Sequence, residues 1–151
     1  VNILGYTKFT ELEGSKRQKN KWLKNRAEAY NGSFSHFVHH LQKGSIDGSG
    51  FRIYQLNNDD DIIKENHDPT SNVKLKNDMM QLSFEGKWKV AFKEKGRNQV
   101  STIRLLTEAI IFDKYGIPRN PLDLLFRDYW MTETMAYLLP LDYLRAKALE
   151  K

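Results

Sequence analysis

A chain of 151 residues, 40% hydrophobic and 28% charged, has the makings of one globular domain that buries about 70% of its unfolded surface. Without cysteine, disulfides, thiol catalysis and thiolate metal sites are excluded, and no apolar run approaches the roughly 18 residues of a membrane span. The formal charge is +5, but six cations fall in the eleven residues from Lys16 to Arg26 with no acid among them, so everything outside that segment nets −1.

Val1 to Tyr6 is rich in β-forming residues, and Phe9 and Leu12 continue an apolar side. That start has neither an initiator Met nor a signal peptide's basic and apolar regions, so it reads as a strand whose chain once continued upstream. Ser15 can cap a first helix by accepting an orphan backbone N–H. Leu23, Ala27 and Tyr30 recur there at helical spacing, beside Trp22. The stripe occupies only the second half, so the Lys16–Lys21 turn projects into solvent or toward a partner. Asn31-Gly32 ends this helix and Ser33 caps the next, where Phe34, Phe37, Val38 and Leu41 make an apolar face that Gly44 closes.

After the turn Gly48-Ser49-Gly50, a strand begins at Phe51 and lasts to about Leu56. Asn57 to Thr70 is polar and acidic, a surface loop. From Met80 the alternation is strict, with Leu82, Phe84, Trp88, Val90 and Phe92 on one face and lysines mostly on the other. Gly86 breaks the period and marks a bend, bulge or turn. Strands follow at Val100–Leu106 and Ala109–Phe112, then turn chemistry at Asp113-Lys114-Tyr115-Gly116. A helical pattern runs from about Asp128 to Leu139 with Met131, Met135, Leu138 and Leu139 as its stripe, and a last short helix spans Leu141 to Leu149. The aromatic segment from Phe126 to Leu144 suits a core helix better than a membrane interface.

The basic helix invites several readings. Trp22-Leu23-Lys24-Asn25-Arg26 shows the W-x-x-N-R core of a homeodomain recognition helix, but two helices should precede it and here at most one strand does. Six cations could instead contact several phosphates, with a log-affinity versus log-salt slope as steep as about −5. Against this, the strands carry no aromatic stacking signature and no second basic cluster extends the patch. The remaining readings are a contact with an acidic partner or anionic surface, and a solvated lysine face.

His36, His39 and His40 share one short helix, and the i, i+4 spacing lets two imidazoles reach one zinc ion. On a helical wheel they fall opposite the apolar face, toward solvent, and no H-E-x-x-H arrangement accompanies them. Asn57, Asp59, Asp61 and Asp68 have some spacing of a calcium loop, but Ile62 stands where the EF-hand turn needs glycine. No G-x-S-x-G elbow or phosphate-cradling glycine loop occurs, and Glu108 and Asp113 suit turn geometry. A hydrolase or carbohydrate-active domain would require a deep pocket joining His39 or His40 to carboxylates.

Taken together, Gly5-Tyr6, Phe9-x-Glu11-Leu12, the run Lys21-Trp22-Leu23-Lys24-Asn25-Arg26-x-x-Ala29-Tyr30-x-Gly32-Ser33-x-x-His36-Phe37, Gly50-Phe51, the strand pair around Leu82 to Phe92, Ser101-x-Ile103, Ile111-x-Asp113-x-x-Gly116, Tyr129-Trp130 and Leu138-Leu139-Pro140-Leu141-Asp142-Tyr143 form a pattern over nearly the whole chain. The pattern resembles uncharacterised envelope proteins of Gram-negative bacteria that carry an N-terminal carboxypeptidase-regulatory-like (CarboxypepD_reg-like) β-sandwich. The resemblance implies export, a periplasmic or outer-membrane-associated location, and a place in the second part of a longer protein. It implies no peptidase, since nothing here matches H-x-x-E zinc ligands.

The expected architecture is a single α+β domain over residues 1–151, an antiparallel sheet with two helices from the N-terminal half and C-terminal helices packed on it. The expected function is a non-catalytic, envelope-associated binding or accessory module with no cofactor. Its protein partner, or an anionic surface, would meet Lys16, Arg17, Lys19, Lys21, Trp22, Lys24 and Arg26. Nucleic-acid binding through the same helix is the alternative, and an unrecognised hydrolase or carbohydrate-active domain the third.

Overall fold

The computed structural model describes residue 10 and residues 12–132. Eight strands and two helices follow in the order α1 (Lys16–Tyr30), α2 (Phe34–Lys43), β1 (Phe51–Leu56), β2 (Ile62–Lys64), β3 (Val73–Lys76), β4 (Met79–Leu82), β5 (Lys87–Glu94), β6 (Arg97–Leu105), β7 (Ile110–Phe112) and β8 (Leu124–Asp128). Short 3-10 turns lie at Pro69–Asn72, Pro121–Asp123 and Tyr129–Thr132. Among the described residues all strand pairings are antiparallel, in a five-stranded sheet ordered β2-β1-β5-β6-β8 and a three-stranded sheet ordered β3-β4-β7. The chain is therefore α+β, mostly sheet.

Strand β5 sits in the middle of the larger sheet, and its alternation sets the two faces. Trp88, Val90 and Phe92 are buried on the inner face, with Phe51 and Ile53 of β1 and Ile103 and Leu105 of β6 beside them. The smaller sheet supplies Met80, Leu82, Ile110 and Phe112, and α2 supplies Phe37, Val38 and Leu41, so both sheets and α2 share one core. The i, i+4, i+7 spacing of Phe34, Val38 and Leu41, with Phe37 on the same side, makes α2 the helix that faces inward. Phe34 reaches rings of three other elements, Phe112, Phe126 and Trp130, at centroid distances of 4.7 to 6.1 Å.

The alternation from Met80 to Phe92 belongs to two sheets. Leu82 ends β4, Trp88 begins the inner face of β5, and the chain crosses between them at Gly86. Gly86 has φ +73°, and a Cβ there would overlap the Leu56 carbonyl. Phe84, in the crossing, stacks on Trp88 with centroids 4.1 Å apart.

Local signals placed α1, α2 and β1 correctly. Ser15 accepts from Gln18 N–H while the Gln18 side chain accepts from Ser15 N–H, a capping box. Ser33 and Gly44 bound α2. Three strands depart from expectation. β2 lies inside the segment read as loop, with Ile62 and Ile63 exposed, and β3 has Leu75 exposed, so neither shows buried alternation. β8 and the 3-10 turn after it replace the start of the helix expected from Asp128. Asp128 instead ends a strand, and its Oδ2 accepts from Thr102 Oγ1 at 2.9 Å. The remainder of that helix, the final helix and the N-terminal strand lie outside the described residues.

Candidate functional site

Helix α1 meets the rest of the described molecule chiefly through its last turn, where Tyr30 is its one buried residue. Lys16, Arg17, Lys19, Lys21 and Lys24 are exposed and Arg26 is half-buried. Lys24 lies 4.0 Å from Glu28, which is 3.8 Å from Arg97, whereas Lys16, Arg17, Lys19 and Lys21 have no ion pair among the described residues. At 3.6 residues per turn, Arg17, Lys21 and Lys24 share an arc of about 60° away from Tyr30, and Lys16, Lys19 and Arg26 flank the Tyr30 side. Positive charge thus surrounds the rod rather than lining one face. The first turn carries cations and no acid, against the positive end of the helix dipole. Trp22 is half-buried, its ring directly against Gly14, so part of its surface is already used within the chain.

The histidines are not the solvent-facing set that the wheel suggested. His36 is buried, with Tyr30 at 4.6 Å, Phe51 at 5.0 Å and Phe92 at 5.5 Å between ring centroids, because β1 and β5 wrap past the side of α2 opposite Val38. His39 and His40 are half-buried. Gly32 N–H donates to His36 Nδ1 at 3.1 Å, which places the proton of the neutral ring on Nε2. His36 Nε2–H then donates to His40 Nε2 at 3.1 Å, and His40 Nδ1–H to the Ser45 carbonyl at 3.0 Å. Ser45 Oγ is also 2.9 Å from His40 Nδ1. A nitrogen that already carries its proton cannot take one from that hydroxyl, so this Ser–His–His row is a structural strut and not a nucleophile with its base. Burial, with help from Lys43 and then His40, lowers the pKa of His39 to about 4. His40 is lowered by burial, partly offset by its bond to the Ser45 carbonyl. No group of three or more histidines and carboxylates converges as a metal site among the described residues.

Nor does the acidic loop gather its side chains around a cation. Asn57 Oδ1 accepts from the N–H groups of Asp59 and Asp61, both at 2.9 Å, which makes it a turn former. Asp60 lies 2.7 Å from Lys87 and 2.9 Å from Arg127, and those hydrogen bonds, the Lys87 one foremost, hold its carboxyl below the ordinary range. Asp68 is lowered by the Thr70 hydroxyl and N–H.

Two features invisible as runs in the sequence emerge from the sheet. The outer face presents Arg52, Lys87, Lys89, Lys93, Arg104 and Arg127, of which Lys87 and Arg127 are bridged by Asp60, while Thr102 on the same face bonds Asp128. The signal for these cations was the lysines in the opposite phase to Trp88, Val90 and Phe92. Beside β1 lies a groove of about 1150 Å³, bordered by the end of α2, the α2–β1 loop, the 66–70 segment and β3. His67 and Asp68, not His39 or His40, border it. His67 Nε2–H donates to Asn72 Oδ1 at 2.8 Å, the Asn72 amide being oriented by the Ser83 carbonyl, and His67 Nδ1 is buried with no partner among the described residues. Neither nitrogen is placed for proton transfer to something in the groove.

Among the described residues no helix is long and apolar enough to cross a membrane. Compared with protein-family models, curated proteins and solved structures, the chain matches none.

Proposed function

We propose that this chain is a non-catalytic binding module in which α1 docks against an acidic protein surface. The carrying observation is the turn Lys16–Lys21, where four cations with no ion pair among the described residues project at the positive end of a helix dipole that an anion would stabilise. Complementary charge of this kind chiefly raises encounter rate and selects the partner. Trp22, partly covered by Gly14, serves at the edge of such a contact. The periplasmic or outer-membrane-associated setting, as part of a longer exported protein, is proposed from the resemblance of the Lys21–Phe37 run and its companions. Pull-downs from bacterial envelope extract test the reading, with wild type compared against a variant carrying Lys16, Arg17, Lys19 and Lys21 all as Glu. Loss of a specific partner supports it; identical partner profiles remove it.

A second reading, nucleic-acid binding, gains from the basic outer face of the sheet, which supplies cations beyond α1. Tyr54 lies on that face beside Lys89. A salt titration with duplex DNA and with RNA decides: a log-log slope of about −5 or steeper supports it, and no binding at low salt rejects it.

A further inference from the structure

The groove beside β1 has a backbone feature that side-chain inventories miss. Lys93 N–H donates to the Gly50 carbonyl at 2.9 Å, so even-numbered residues of β1 point their amides toward β5 and Phe51, Ile53 and Gln55 point theirs away, into the groove. On that side Ser49 Oγ accepts from Phe51 N–H at 3.2 Å, His67 N–H donates to the Ile53 carbonyl at 2.7 Å, and Gln55 pairs with Lys64 of β2. Two adjacent groups remain, the Phe51 carbonyl and the Ile53 N–H, without a partner among the described residues. An unpaired acceptor and donor on a strand edge form a template for another strand.

We propose that this groove binds an extended peptide segment as an added strand running parallel to β1, with an acidic residue between two apolar ones. In parallel pairing one residue donates to the carbonyl before, and accepts from the N–H after, the residue opposite it. One peptide residue opposite Arg52 therefore satisfies both open groups. Its side chain shares the outer face with Arg52, near Lys93, and these two exposed cations have no ion pair among the described residues. The residues on either side turn inward, toward Leu41, Ile46 and Leu75, of which Leu75 is 61% exposed, and ladder pairing stops there because Ser49 Oγ and the His67 N–H already hold the next bonding positions of β1. Main-chain bonds thus supply attachment and alternate pockets supply selectivity, as in other strand-addition sites. The volume, above the roughly 300–1000 Å³ of small-molecule pockets, also suits a length of chain. This site is separate from α1 and does not rest on the reading given to that helix.

The test uses a fluorescent peptide alternating glutamate and valine, a lysine-for-glutamate counterpart, and a version N-methylated at the central glutamate. Anisotropy should show saturable binding of the first peptide only, weakened at least about tenfold by Arg52→Glu and less by Arg52→Ala, with thermal unfolding of both variants unchanged. Amide exchange at Ile53 should slow when the peptide is added. Equal binding of the N-methylated or lysine peptide, indifference to Arg52→Glu, or unchanged exchange at Ile53 each overturns the proposal. Binding abolished by reversing the α1 cations but not by Arg52→Glu assigns the peptide to α1 and also overturns it.

Discussion

Gly32 is the point at which α1, α2 and the sheet meet. Its N–H donates to His36, its carbonyl accepts from Trp130 Nε1 at 2.8 Å, and its φ is +84°. A Cβ there would run into Gln99 Oε1 and come within 2.8 Å of Phe92. Gly32→Ala should therefore destabilise the fold by about 3 kcal/mol in urea titrations, combining backbone strain with overpacking. Gly48→Ala, also at positive φ (+76°) but with open space around it, should cost only about 1 kcal/mol, the backbone part alone. His39 and His40 give a pH signature. Their folded pKa values lie below the unfolded value of 6.5, near 4 for His39, so between those limits the unfolded chain binds more protons. Stability should be full above about pH 6.5 and fall as the pH drops toward 4. Urea midpoints at pH 7.5, 5.5 and 4.5 check this, and His39→Gln should flatten the slope. Asp60 and Asp68, lowered from 3.8, add their own loss as the pH falls below that value.

Among the elements, α1 places stability and the proposed function in opposition. Ser15→Ala removes the capping box and should cost about 1 kcal/mol, seen as lost helicity. Lys16→Glu and Arg17→Glu should do the reverse, each adding about 0.3–1 kcal/mol by complementing the helix dipole, while weakening capture of an acidic partner. A helix that becomes more stable as it loses binding would separate the two roles in one experiment by circular dichroism and pull-down. Helix α2 is the contrasting case, because its apolar face is a requirement of the core. That face was legible in Phe34, Phe37, Val38 and Leu41 themselves, whereas the fate of His36 was not: a wheel shows only which side of a helix a residue occupies, and both sides of α2 are covered near its start.

For the molecule as a whole, the joint between two sheets is the main determinant. Phe37 is fully buried and meets Phe51 and Trp130, each at 5.3 Å, so Phe37→Ala should cost about 3–5 kcal/mol. Because both sheets share that core, far-ultraviolet and tryptophan signals should be lost together in one transition. The strands missed in the sequence are those with least to bury. β2 and β3 expose Ile62, Ile63 and Leu75, and β8 is too short for its pattern to stand apart from a helical one. Among the site features, the α1 cations were legible as a run, and the basic sheet face only as a phase of alternation.

Sequence by itself determined α1, α2, β1 and the chemistry of their caps, since each of those signals involves residues within about four positions of one another. Only the tertiary structure decided that Met80 and Trp88 serve different sheets, that His36 is enclosed, and that β1 keeps two backbone groups open toward a groove. Those outcomes depend on which distant strands pair and where pairing stops. Side-chain periodicity records which face a residue occupies and carries no information about the neighbour that strand will have.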